Sequence, residues 1–343
     1  VSASPPHALG SIRDFRPMAR ETAPKSLSRR IWVAVAVFAL VGLLFVVIGM
    51  LMLATASTPS PTMSAGEQFT AGSLVAFAGA AGVGGAAALA WVHRRRARRL
   101  RQAAQMGIEH GWHVRIEGDP REHPASAFGS GSIKGSWLET PMHLHEPRYI
   151  EVGNYVFDAG QSGLGRSSVG WIAIELDRRL PHMYLFSQST PHQVRPYNVP
   201  IFSADQRLDL EGDFNTHFRL FCPREYATDA LYVITPDVMA LMIDEAQGFD
   251  IEIVDDMLFV VARRPFDMSD SRILEFAQRL AATLGARTAR QGARYVDHRS
   301  GDPVFIAHEG ARLARRPVLA ILTPLLVTAA VVALAGWFGG IFG

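Results

Sequence analysis

Three stretches of the chain are apolar for long enough to cross a bilayer, which takes about 20 residues of helix. They run over residues 31–53, 71–92 and 317–342, and none contains a charged side chain. Uncharged runs of that length predict transmembrane helices rather than buried helices of a soluble core. Ala54-Thr55-Ala56 after the first run resembles a signal-peptide cleavage site. The apolar core is longer than the usual roughly 7–15 residues, so a retained helix is expected.

Between the second and third runs the pattern shortens. The basic stretch "RRARRLRQAAQMGIEH" predicts a helix that leaves the membrane and stops at Gly111, followed by a short strand in "WHVRIEG". Residues 119–147, rich in Pro, Gly and Ser, read as a long surface loop. "RYIEVGNYVF" and "VGWIAIELD" predict a hairpin, with "MYLFSQ" and "QRLDLEG" as further strands. "FNTHFRLFC" alternates, with Phe214, Thr216, Phe218, Leu220 and Cys222 on one face. "TPDVMALMIDEA" predicts a helix with Thr235 as N-cap and Pro236 at its first position. "FDIEIVDDMLFVV" reads as two strands joined through Asp255-Asp256. Residues 269–284 place Ile273, Phe276, Leu280 and Leu284 on one helical stripe.

The expected fold is therefore a membrane protein with three transmembrane α-helices and one α+β domain whose sheet is largely antiparallel. The boundaries are a tail at 1–30, a two-helix membrane hairpin at 31–92, the domain at 93–316 and a C-terminal transmembrane helix at 317–343. The segments "GWHV", "YIEVGNYVFDAG", "GDFNTHFRLFCPREYATDALYVITPDVMALMIDEA" and "FDIEIVDDMLFVV", in that order, resemble actinobacterial integral-membrane proteins of unknown function with a large cytosolic α+β domain. That resemblance implies the architecture and supplies no activity, substrate or catalytic residue.

Charge sets the expected orientation. Arg13, Arg16, Arg20, Lys25, Arg29 and Arg30 precede the first run, and Arg94, Arg95, Arg96, Arg98, Arg99 and Arg101 follow the second. Arg312, Arg315 and Arg316 precede the third, whereas residues 55–70 contain no Lys or Arg. Cationic flanks stay in the cytoplasm. The expected location is a bacterial plasma membrane, with the central domain cytoplasmic and both the first loop and the C-terminus outside.

Between residues 102 and 311, 19 Arg and Lys stand against 29 Asp and Glu, a net charge of −10. A nucleic-acid binder needs cations spread over a contact face. Here they cluster at helix ends, where anionic lipid accounts for them. Nucleic-acid binding is not expected; membrane lipid is.

Candidate chemistry is thin. "MHLHE" brings His143, His145 and Glu146 together, the weak candidates for a metal, with His110, His113 and His123 upstream. It lacks the spacing of a recognised zinc motif. "GQSGLGRS" (160–167) has the spacing of a phosphate loop but carries Arg166 where lysine is needed, and it leads into a strand instead of a helix. "GSGSIKGS" (129–136) fits that pattern less well. His217 and Cys222, five residues apart in one strand, face opposite sides. Asp255 with Asp256 and Asp244 with Glu245 read as solvated acids. The lone Cys222 excludes an internal disulfide.

No catalytic residue and no cofactor is expected. Small-xxx-small pairs in the second run, Ala78/Gly82 and Ala81/Gly85, point to close helix packing, within the chain or with another copy. The expected function is a membrane-anchored interaction, scaffold or sensing module with a protein partner or as a homo-oligomer. The alternatives are a membrane-tethered enzyme with a loop His or acidic site, and an accessory subunit of a transport or envelope complex.

Overall fold

The computed structural model describes residues 25–56, 64–129, 136–158, 166–189, 202–302 and 305–314. The N-terminal tail, the third apolar run and most of both glycine-rich loops lie outside the described residues. Contacts divide the chain into two units, Val1–Gln102 and Ala103–Gly343.

The first unit is built on α1 (Lys25–Thr55) and most of α2 (Ala65–Glu109). Both are long and apolar enough to cross a membrane. A third candidate, the bent pair at 224–246, passes on length and composition only if its two helices are taken together. It buries Ala230, Val233, Val238, Met242 and Ala246 in the core of the second unit.

Glycine sets how closely α1 and α2 approach. A Cβ on Gly79 would lie 2.6 Å from the carbonyl of Gly42, and one on Gly49 would lie 2.7 Å from the carbonyl of Gly72. Gly42 and Gly49, like Gly72 and Gly79, are two turns apart and share a helix face. The antiparallel pair therefore meets backbone to backbone at two crossings. Within the chain, the close approach does not run through Gly82 or Gly85. Gly82 makes only an ordinary contact, a Cβ there lying 3.5 Å from Gly42 Cα, and Gly84 and Gly85 have open space around them. Because α1 offers glycines of its own, the tight seam falls on Gly72 and Gly79.

Both ends of α2 are capped. Ser64 and Glu67 form a capping box, the Ser64 amide donating to Glu67 Oε2 at 2.9 Å. At the other end Gly111 takes a φ of +78°, the Trp112 amide donates to Gly107 O at 2.9 Å, and the Gly111 amide donates to Ile108 O. That is a Schellman motif, which ends the helix where Gly111 was expected to end it.

The second unit holds an eight-stranded antiparallel sheet in the order β1-β3-β4-β5-β7-β6. The strands along that path are β1 (His113–Val114), β3 (Trp137–Leu144), β4 (Ile150–Asp158), β5 (Arg166–Ser187), β6 (Arg207–Leu208) and β7 (Phe218–Phe221). Off the path, β2 (Glu117–Gly118) pairs with β3, and β8 (Asp250–Val261) pairs with β5. The expected hairpin is β4–β5, with Ile150 opposite Ile174 and Asp158 opposite Arg166.

Several expectations change. The stretch at 119–147 is not only loop, because β3 runs through it and residues 125–128 are buried. "VGWIAIELD" and "MYLFSQ" belong to one 22-residue strand, β5. β8 is likewise continuous, and Asp255 bulges within it at a φ of +54° instead of turning the chain back. "FNTHFRLFC" begins as one helical turn, α3 (Phe214–His217), so only Phe218 onward alternates as a strand. Asn215 caused the difference: its side chain bonds both the amide and the carbonyl of Leu210, which holds that turn closed.

Helices cover one face of the sheet: α4 (Ala227–Val233), α5 (Pro236–Ala246), α6 (Ser271–Leu280) and α7 (Ala286–Gly292). Thr235 does occupy the N-cap of α5 but makes no side-chain capping bond. A π-turn, Ala281–Gly285, joins α6 to α7 and keeps Leu280 and Leu284 in the core. The opposite face buries Leu138, Tyr155, Trp171 and Phe259 beneath Ala125, Ala127 and Phe128.

The glycine seam yields a direct test. Gly79→Leu should destabilise the hairpin by about 1–3 kcal/mol, the usual cost of overpacking, read as a lower melting temperature in detergent. Gly84→Leu, facing open space, should leave melting unchanged. Equal melting of the two variants would show that the seam does not hold the helices together.

Candidate functional site

Among the described residues, three internal networks join buried and half-buried ionisable side chains of the domain, and the first follows the sheet register. In the first, His113 on β1 is opposite His143 on β3, His143 is opposite Glu151 on β4, and Glu151 is opposite Ala173 on β5. Directly opposed residues share a face, so these side chains form one cross-strand row.

Glu151 is fully buried. Arg115 Nη2 donates to its Oε1 at 2.9 Å and Tyr149 Oη donates to its Oε2 at 2.7 Å. His123 Nε2 lies 3.0 Å from Oε2 but is not aligned to hydrogen-bond with it. Burial alone would raise the Glu151 carboxyl, but His123, Arg115 and Tyr149 outweigh it and hold the group down at about 2. Arg115 also binds Glu122 at 2.7 Å, so one guanidinium ties the 3-10 turn at 120–122 to β4. His123 packs on Trp171, Phe259 and Phe128, closing the row over the aromatic core.

At the other end of the row three imidazoles meet. Ring centroids are 5.3 Å apart for His113 and His143, 5.1 Å for His143 and His145, and 5.9 Å for His113 and His145. Tyr149 stacks on His143 at 5.9 Å. Burial pushes His143 down to about 4; Glu151 pulls it up, while His145, Arg115 and His113 push it further down. Of the expected metal candidates, His143 and His145 are thus together, with His113 added by strand pairing. Glu146 is exposed beside them. His110 is elsewhere, its ring against the carbonyl of Met106 at the end of α2.

The second network surrounds Glu252 on β8. The amide and hydroxyl of Ser126 both donate to it at 2.7 Å, and His182 Nε2 lies 2.8 Å from its Oε1. The Leu313 amide donates to His182 Nδ1 at 2.9 Å, so that nitrogen carries no proton and Nε2 is the donor to Glu252. Ser, His and Glu are present, but the carboxylate stands between the other two. A nucleophile needs the imidazole beside its hydroxyl, so this is not a catalytic triad.

The third network holds the C-terminal part of the domain. Tyr226 Oη donates to Asp297 at 2.7 Å, Tyr295 Oη donates to Asp229 at 2.8 Å, and Arg299 bridges both acids while lying over the Tyr226 ring.

The remaining candidates are tied up similarly. Asp255 takes a two-pronged ion pair from Arg312, at 3.0 and 2.8 Å. Glu245 pairs with Arg279. Cys222 is buried, its thiol pushed up to about 12 by burial and by Asp229, which makes it a poor nucleophile. His217 Nδ1 accepts from Gln247 Nε2 at 2.7 Å and does not meet Cys222. Of the phosphate-loop candidate, only Arg166 and Ser167 lie among the described residues, and both begin β5. The networks around Glu151 and Glu252 were missed in the sequence because, apart from Tyr149–Glu151 and Arg115–Glu122, their hydrogen bonds join residues 36 to 131 apart along the chain; the local signal was an acid inside each apolar strand pattern.

No family model matches the chain, and no curated protein matches it. A solved structure similar to it is that of the mycobacterial trehalose monomycolate transport factor A, TtfA. The two are 11% identical, with a TM-score of 0.36, over 56% of this chain and 91% of that one. A likeness at that level carries no argument about fold or function. The resemblance to actinobacterial membrane proteins therefore has no family match behind it.

Acid stability tests the first network. Unfolded, His143 takes up its proton near 6.5; folded, it resists until about 4. The unfolded chain then binds more protons in that window, so stability falls as pH drops from 6.5 to 4. Glu151 repeats the sign between 4.5 and about 2. His143→Gln should flatten the upper window, recovering on the order of 1–2 kcal/mol after solvent screening, and leave the lower one intact. An unaltered slope between pH 6.5 and 4 in urea melts of His143→Gln would assign the loss to another group.

Proposed function

We propose that this chain is a membrane-anchored interaction module, acting as a scaffold or sensor for a protein partner on the inner face of a bacterial plasma membrane. One observation carries the reading. Of the groups of the domain best suited to chemistry, Glu151, Glu252, His182 and Asp255 are each spent on holding its own strands and segments together, and Cys222 is buried. A domain whose acids and imidazoles serve its fold acts through its surface.

Two candidate spans support the anchor. The arginines support the orientation. Arg94 lies over the Trp32 ring at 5.3 Å and Arg95 over Trp91 at 5.2 Å, so both tryptophans and the basic run mark one end of the hairpin. Aromatic rings and cations of this kind gather at the headgroup level, and cationic flanks face the cytoplasm. On the domain, Leu231, Tyr232 and Val296 remain exposed around the contact between the Tyr232 and Tyr295 rings. Exposed apolar side chains grouped in this way suit a protein partner.

Native Cys222 is blind to labelling reagents because it is buried. With Cys222 replaced by Ser, single cysteines at Ala65 and Gln278, both exposed, read the topology. In intact cells an impermeant maleimide should label Ala65→Cys and spare Gln278→Cys. The reverse pattern overturns the orientation. For the partner, a photo-crosslinker at Tyr232 should give discrete adducts in native membranes that the same probe at Gln278 does not. The same adducts from both positions, or none from Tyr232, would remove the interaction reading.

A further inference from the structure

The three imidazoles at the sheet edge do more than fill space. His143 and His145 are two apart on one extended segment, and His113 stands opposite His143 on the neighbouring strand. Two positions apart on a strand and one across it put three side chains on one face, around one point. When imidazoles share a metal at about 2.0–2.1 Å from nitrogen, their ring centres stand about 5 Å apart. Here they stand 5.1, 5.3 and 5.9 Å apart.

A second, separate observation concerns His143 itself. Its Nδ1 is buried and has no hydrogen-bond partner. Buried polar atoms are normally satisfied, and one that is not calls for an account. Coordination would supply the partner that nitrogen lacks.

We infer that His113, His143 and His145 form a binding site for a divalent late first-row metal ion, zinc or nickel, which fastens β1 to β3. Imidazole ligands select such ions over magnesium or calcium, which take oxygen. As the rings stand, His113 lies nearly parallel to His143, at 24°, and no three His, Cys, Asp or Glu groups among the described residues are arranged to hold an ion. Binding therefore turns rings. His113 and His145 are exposed and free to turn, while His143, half-buried against Tyr149, is the fixed member. Glu151 lies behind it as the register partner, its charge shared with Arg115. Three imidazoles leave the remaining positions to water, the arrangement of an open site. β1 is only two residues long and begins directly after the Gly111 cap of α2. A metal clamp there would secure one of the two-residue strands of the sheet, next to the end of α2.

The test uses the full chain in detergent, freed of any polyhistidine tag, titrated with Zn2+ and with Ni2+ by calorimetry and by thermal melting. One equivalent of ion should bind and raise the melting temperature. His113→Ala and His145→Ala, both at exposed positions that the fold tolerates, should each weaken binding by at least about tenfold and abolish the thermal shift. His308→Ala, an exposed histidine in α8 (His308–Ala311), should bind as the parent does. Absence of binding in the parent, or equal binding by parent, His113→Ala and His145→Ala, overturns the site.

Discussion

The pairing of β5 with β8 is the constraint on which the rest of the domain depends. β8 occupies one edge of β5 along most of its length, from Trp171 opposite Val261 to Leu185 opposite Ile251. β4 and β7 therefore have to share the other edge, β4 against residues 166–174 and β7 against residues 184–187. A pair this long cannot stay regular if one face is to meet helices throughout. Both strands change phase at the same place. On β5 the helix-covered core takes Ile172, Ile174 and Leu180, then Met183 and Leu185; on β8 it takes Ile251 and Ile253, then Leu258 and Val260. One extra residue reverses which face a strand presents. Between the pairs Glu175–Met257 and Met183–Ile253, β5 advances eight residues and β8 four, with Leu180 opposite Asp255, and the even difference keeps the faces of the two strands matched. Pro181, which has no amide to donate, sits where the ladder is already broken.

That shared bulge explains the acids that looked solvated in the sequence. Asp255 adopts a left-handed backbone, which aspartate tolerates better than most residues. Its carboxylate then meets Arg312 at two points. The next residues are held as well: the Leu313 amide by His182, and Ala314 by Gln206, whose amide side chain bonds both its N–H and its carbonyl. Residues 312–314 are thus tied to the bulge from three directions. Asp255 is thus a structural fastening rather than part of a solvated turn.

What was legible in the sequence had a short range. The apolar runs, the Gly111 stop, the β4–β5 hairpin and α5 all follow from periodicity or from a capping residue close by. What was not legible depended on partners far along the chain. Continuity of β5 through Arg178, Arg179 and Pro181 comes from the slip it shares with β8. β3 was hidden because Pro141 interrupts it and Gly-, Ser- and Pro-rich sequence flanks it; its place comes from pairing with β1, β2 and β4 at once. The helical turn at Phe214–His217 depends on Asn215 reaching back to Leu210, which outweighs an alternating pattern that would suit a strand. Among the site candidates, His143 and His145 could be read from their spacing, but His113 could reach them only through a strand register that two residues of β1 do not announce.

The cross-strand row shows where such a fold leaves room for function. From Phe259 through Ala173 and Glu151 to His143 and His113, the side chains run from the apolar interior to the exposed edge. Phe259, Ala173 and Glu151 are fully buried, His143 is partly covered, and His113 is exposed. A charge at Glu151 is tolerable because Arg115, His123 and Tyr149 surround it, and those neighbours are committed in turn to the turn at 120–123 that roofs the aromatic core. Every group inward of His143 is therefore fixed by packing or by a charge that cannot be left unpaired in a low-dielectric interior. Outward of it, the imidazoles of His113 and His145 are in contact with solvent. Within this row, contact with solvent is confined to that edge, beside the point where α2 ends and the sheet begins.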